Sequence, residues 1–330
     1  MRFLKFTLPV IALYVFFTAQ QASALTLTPI RVEIQGDPGQ TLVRPITLIN
    51  EQNTTITYYS SFANFEAQGE TGNPAFVDPK SDLGTWMSTD EAITLGPKET
   101  KTIDVTIAIP KDAYAGGHFA VVFFGTQPNK VGANNGVGIG AKTGTLILLS
   151  VSGDVKEGGG LASYNTKDHK FFYTTLPIDF QYRFKNDGND RVKPQGNITM
   201  HDLFYIPETR IDANPVTGNI LPHSTRMFDV EWVKHPRGNE YIAPTNPVAR
   251  FFDDAWYEWR NYAFGPYMAT LELVYGSQNI VTTEHVFFFV FPWQMLICLA
   301  VILFIAFWGG RKLLRRYNAY IIKKARASSH

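Results

Sequence analysis

Residues 95–107 read LGPKETKTIDVTI, and residues 220–232 read ILPHSTRMFDVEW. Each holds a proline, then Thr-Lys or Thr-Arg, then Asp-Val, at identical spacing. Two more pairs match. ITLINEQNTTI (46–56) parallels YRFKNDGNDRV (182–192), each with Asn-x-x-Asn at a strand end. AGGHFAVVFFG (115–125) parallels FGPYMATLELVYG (264–276). The spacings between copies differ, so the loops differ, but similarity at several points in one order is the signature of a tandem repeat.

The repeated pieces read as strands. TITYY and TIDVTI alternate polar and apolar residues, as half-buried strands do. Further runs lie at 25–34, 41–49, 92–95, 118–125 and 145–153, separated by Gly, Pro and Asn. Helical periodicity is absent from these runs. Seven short strands with frequent turn signals predict an Ig-like sandwich, so the repeat predicts an all-β chain of two tandem Ig-like β-sandwich domains. The Asn-x-x-Asn turns supply residues that tolerate left-handed backbone where a strand reverses. Pro97 and Pro222 stand just ahead of a strand, where a missing N–H costs nothing.

The ends of the chain place these domains. Residues 1–24 carry Arg2 and Lys5, an apolar run and Ala22-Ser23-Ala24. This is the pattern of a cleaved signal peptide, with the mature chain starting at Leu25. Residues 287–308, FFFVFPWQMLICLAVILFIAFW, hold no charge, and aromatics mark both edges. That length and composition predict one C-terminal transmembrane helix. Seven basic residues and no acid follow in 309–330, so the tail is expected in the cytoplasm. The expected order is domain 1 at 25–153, a glycine-rich linker at 154–163, domain 2 at 164–286 with an aromatic insertion at 236–264, the span, and the basic tail. The expected location is a single-pass type I cell-membrane protein, its bulk extracellular or periplasmic.

Nine of the 30 basic residues belong to the leader and tail, leaving 21 against 29 acidic residues, a net charge of about −8 on the exported part. An acidic surface argues against nucleic-acid binding. The one cysteine, Cys298, falls in the span. The exported part is therefore expected to rely on its cores rather than on disulfides.

The chain resembles the WxL-interacting proteins of bacterial surfaces. The residues that carry the resemblance are TPIRVEIQGDPGQT, ITLINEQNTTITYY and LGPKETKTIDVTIAIPKDAYAGGHFAVVFF in the first domain. In the second they are RFKNDGNDRVKPQGNI, NILPHSTRMFDVEW and GPYMATLELVYG. The resemblance implies a first domain that binds peptidoglycan and a second that binds a surface partner protein. The first domain also resembles the N-terminal domain of periplasmic pilus chaperones.

No catalytic constellation is apparent, and no enzymatic activity, metal or cofactor is expected. The seven histidines make no metal-ligand spacing. His118 reads as a satisfied residue at a strand edge. Asp253-Asp254 reads as a solvated acidic pair. GVGIGAKTG (136–144) has Ala141 where a phosphate loop needs glycine, and a β-rich run follows it where that loop needs a helix. No nucleotide is expected, and residues 127–144 read as a long hairpin loop with Lys142 as a fixed charge.

The most distinctive stretch is RFFDDAWYEWRNYAFGPY (250–267). The spacing of Phe252, Trp256 and Trp259 predicts one face of a short helix, with Asp253 or Asp254 near its start. Three roles suit it: a plug for the open end of the sandwich, a recognition surface, or a rest against the lipid interface. As a recognition surface, the contact residues would be Phe252, Trp256, Tyr257, Trp259, Arg260 and Tyr262, joined by Lys142 from the first domain. The expected function is non-enzymatic binding of a cell-wall glycan or an envelope protein. The alternative is a tethered chaperone acting by strand addition.

Overall fold

The computed structural model describes residues 25–128, 142–202, 204, 206–238 and 240–327. The signal-peptide reading, and most of the 127–144 loop, lie outside the described residues. Those residues form two compact units. The first takes those up to Gln68, Asn73–Lys156 and Gly188–Arg191; the second takes Gly69–Gly72, Glu157–Asp187 and those from Val192 onward.

The first unit is a sandwich of two sheets. One holds β1 (Leu25–Thr28), β3 (Thr41–Asn50), β8 (Thr100–Ala108) and β6 (Met87–Ser88), in that order. The other runs β2 (Arg31–Gly36), β10 (Lys142–Val151), β9 (Gly116–Gly125), β4 (Ile56–Gln68) and β5 (Asn73–Val77), with β7 (Ala92–Leu95) also on β4. Residues 25–34, which read as one strand, are two. The chain crosses between sheets at Pro29-Ile30, so β1 pairs antiparallel with β3 and β2 pairs parallel with β10. The alternation in β3 and β8 points Ile46, Leu48, Val105 and Ile107 into the core. A one-turn helix, α1 (Leu83–Trp86), has no counterpart in the sequence reading. β10 starts at Lys142 rather than 145, and a strand there gives GVGIGAKTG no following helix.

The second unit repeats the plan. Its sheets are β11 (Gly159–Thr166), β13 (Ile178–Asn186) and β16 (Ser224–Trp232), and β12 (Phe172–Tyr173), β18 (Ile280–Val290), β17 (Gly265–Tyr275), β14 (Gln195–His201) and β15 (Pro207–Asp212). Phe180, Tyr182, Phe184, Trp232 and Phe288 fill the core. Tyr182 stacks on Phe228 at 4.7 Å, and its hydroxyl donates to the Ala213 carbonyl at 2.9 Å. Aromatic pairs of this kind add to area burial.

The repeat is visible in the backbone. Lys98 and His223, at matching places after Pro97 and Pro222, both adopt positive φ, 55° and 54°. The left-handed residue of the motif is thus the one after the proline. Asn50 and Asn186, expected in that role, are instead buried and bonded through their side chains.

Two boundaries move. Residues 159–163 are the start of β11 rather than linker. A Cβ on Gly159 would meet the Lys185 carbonyl oxygen at 2.0 Å, so glycine there permits a close strand approach. Residues 287–290, read as the start of the span, complete β18. Phe288 is 1% exposed and Phe287 64%, the two-residue alternation of a strand. Pro292 separates β18 from α3 (Trp293–Ala327). Among the described residues, Trp293–Ile321 is the one helix long and apolar enough to cross a membrane.

Candidate functional site

The aromatic insertion forms α2 (Pro247–Arg260). Its start is set by Asn246, whose side chain accepts from the amides of Val248 at 2.9 Å and Ala249 at 3.3 Å. Pro247 takes the first helical position, where its missing N–H is harmless. Asp253 and Asp254 therefore lie in mid-helix rather than near its start. At the other end, Asn261 Oδ1 accepts from the His235 amide at 2.8 Å while Nδ2 donates to the His235 carbonyl at 3.1 Å. This two-way amide bond ties α2 to the segment after β16.

α2 shows three faces to three surroundings. Phe251, Ala255 and Glu258 turn toward the root of α3. The Phe251 ring lies 5.8 Å from that of Trp293, edge to face. Glu258, 2% exposed, accepts at Oε2 from the Met295 amide at 2.6 Å. That amide belongs to the first turn of α3, which has no acceptor within its own helix and favours a negative partner. Oε1 has no hydrogen-bond partner among the described residues. Burial pushes the Glu258 carboxyl up to about 7, against the backbone hydrogen bonds from Met295 and Gln294 that favour its charged form.

The second face borders a cleft of about 670 Å³, lined among others by Thr175, Glu231, Arg237, Tyr257 and Gln294. Arg237 is held tightly. Its guanidinium lies 4.1 Å from the Tyr241 ring centre and 4.3 Å from that of Tyr257. It also pairs with Asp253 at 3.1 Å and Asp254 at 3.0 Å. The acidic pair is thus ion-paired with an arginine stacked on tyrosine, rather than merely solvated.

The third face carries Phe252, Trp256 and Trp259, which are 60%, 63% and 58% exposed. Arg260 and Tyr262 are exposed beside it, while Tyr257 belongs to the cleft. Lys142 belongs to the first unit, as the first residue of β10. Sequence reasoning missed Glu258, Arg237 and Asn261. The signal for Glu258 was present, since it shares a helical face with Phe251 and Ala255.

In the first unit, His118 lies within β9, which has β10 and β4 on its two sides. It is satisfied as expected, but buried and central rather than at an edge. Nε2 faces the Tyr114 carbonyl at 2.9 Å, and Nδ1 pairs with Asp82 Oδ1. Burial alone would raise the Asp82 carboxyl. Hydrogen bonds from His118, the Leu83 amide and the Tyr114 hydroxyl outweigh it and hold the group low. Among the described residues, no group of three or more His, Cys, Asp or Glu is placed to hold a metal.

No family model matches the chain, and no curated protein matches it. Solved structures similar to it include the class 5 fimbriae chaperone CfaA, at 11% identity and TM-score 0.38, over 79% of this chain and 98% of that one. The E. coli chaperone DraB is 9% identical at TM-score 0.36, over 81% and 96%. A complex of Salmonella enterica SafA pilin with the SafB chaperone matches at 9% and TM-score 0.35, over 82% and 98%.

Proposed function

We propose that the chain is a non-enzymatic, membrane-anchored protein of the cell envelope, whose sandwiches bind another envelope component, a surface protein or a cell-wall glycan. The observation that supports this reading is the joint between the second sandwich and α3. Two residues separate β18 from the helix, and Glu258 and Phe251 grip its first turn. A sandwich clamped in this way is carried at a fixed height above the bilayer. The resemblance to WxL-interacting proteins implies the same role, with α3 as a type I anchor and the basic tail inside.

One observation favours strand addition to an exported client as a second reading. β2 pairs with β10 only from Leu146 onward, so Thr143–Thr145 pair with β9 alone among the described strands. Such an edge accepts or lends a strand. The test uses the full chain in nanodiscs, offered purified cell wall and, separately, folded and unfolded envelope proteins. Saturable retention by cell wall or by one folded protein supports the first reading. Capture of unfolded clients alone supports the second, and turnover of a substrate overturns both.

A further inference from the structure

We propose that the aromatic face of α2 is seated in the bilayer that α3 crosses, at the boundary between headgroups and acyl chains. The second sandwich would then rest on the membrane through two elements rather than hang from one. The proposal rests on α3 being a membrane span, and goes beyond the binding role assigned to the sandwiches.

Height is the first argument. Glu258 bonds the amide of Met295, the third residue of α3, and Phe251 packs on Trp293, the first. α2 is therefore level with the end of the apolar segment, where hydrocarbon gives way to headgroups.

Direction is the second. At about 100° per helical residue, the stripe of Phe252, Trp256 and Trp259 lies nearly opposite Asp254 and Tyr257. Those two line the cleft against the sandwich. The stripe thus faces away from the domain, on a helix pressed to the root of the span.

Chemistry is the third. Tryptophan and its aromatic relatives concentrate at the membrane interface, and a helix with one aromatic face and one charged face is built to lie in that plane. Asp253 and Asp254 turn to Arg237 and away from the stripe. Arg260, at its margin, has the reach to snorkel to headgroup phosphates. Phe264 and Phe291 are exposed as well, with rings 6.2 Å apart, immediately before Pro292 and the span. Exposed apolar side chains gathered at the root of the span call for a cover, and the bilayer that the span crosses supplies one.

The test compares the full chain with its W256F/W259F variant in nanodiscs of phosphatidylcholine, with and without bromine at a shallow acyl position. The emission lost on substitution belongs to the two tryptophans. It is expected to be blue-shifted, quenched by brominated lipid and protected from aqueous acrylamide. Adding Phe252→Trp to the variant is expected to restore a lipid-quenched signal. If the lost emission is instead water-like, quenched by acrylamide and indifferent to bromine, the proposal fails and the face is open to a protein or glycan. Quenching that persists in the variant, from Trp293 and Trp308, reports insertion of α3. Its absence would mean that the anchor itself is wrong.

Discussion

Asn50 donates from Nδ2 to the carbonyl of Gly96 at 2.8 Å, bridging the end of β3 to the turn that leads into β8. Asn186 makes a similar bond in the second unit, to the carbonyl of Ile220 at 3.0 Å, one place earlier in the repeated motif. Both side chains are buried. The Gly96 carbonyl keeps the Glu99 amide and the Ile220 carbonyl keeps the Val192 amide, so replacing either asparagine with alanine removes hydrogen bonds without stranding these carbonyls and is expected to cost about 0.5–1.5 kcal/mol. Denaturant unfolding of the full chain in detergent should show N50A lowering the transition of the first unit alone and N186A that of the second. Equal loss in both would contradict independent cores.

Glu258 gives the second unit a pH dependence near neutrality. Its folded value, about 7, lies above the ordinary carboxyl value of 4.5. Stability from the protonated group is therefore complete below about 4.5 and is lost as pH rises through about 7. The change is on the order of 3 kcal/mol. Thermal melts of the full chain between pH 4.5 and 8 should follow this trend, and E258Q should flatten it.

Asp82 has the opposite sign. Held below its ordinary value, it stabilises the first unit above the normal carboxylate range, and that contribution is lost as pH falls through its depressed value. Acid unfolding of the first unit is expected to begin at higher pH in D82N, because His118 loses its charged partner. An unchanged acid midpoint would remove the pair from the account of stability.

Gly159 has φ of +104° and no room for a Cβ beside Lys185. G159A is expected to destabilise the second unit by more than about 1 kcal/mol, and circular dichroism melts measure it directly. Gly69, also at positive φ but with nothing within 4 Å of the added Cβ, is expected to tolerate alanine better.

The two sandwiches were legible because the repeat and the two-residue alternation are local. The positive φ shared by Lys98 and His223 shows how faithfully the Pro-containing motif encodes its turn. What escaped depends on partners distant in sequence. Nothing in Asn50 itself names the Gly96 carbonyl as its acceptor. Phe287–Val290 read as hydrocarbon until their pairing with β17, where Tyr267 stands opposite Phe288, makes them a strand. The Asn246-Pro247 start of α2 was written in the sequence, but the aromatic run drew the boundary too late. The Arg237 contacts with α2, to Asp253, Asp254 and Tyr257, are tertiary and had no local signature.

The joint after β18 leaves no stalk. Phe291 is pinned through its amide to the Tyr173 carbonyl at 2.8 Å, Pro292 is buried, and the apolar helix begins at the next residue. Under the proposed anchoring, proteases that shed surface proteins would need extended, accessible chain near the membrane, and this two-residue joint offers little. Releasing the second sandwich by cleavage there would first require peeling an inner strand from its sheet, so liberation of the intact domain and survival of its fold are mutually exclusive.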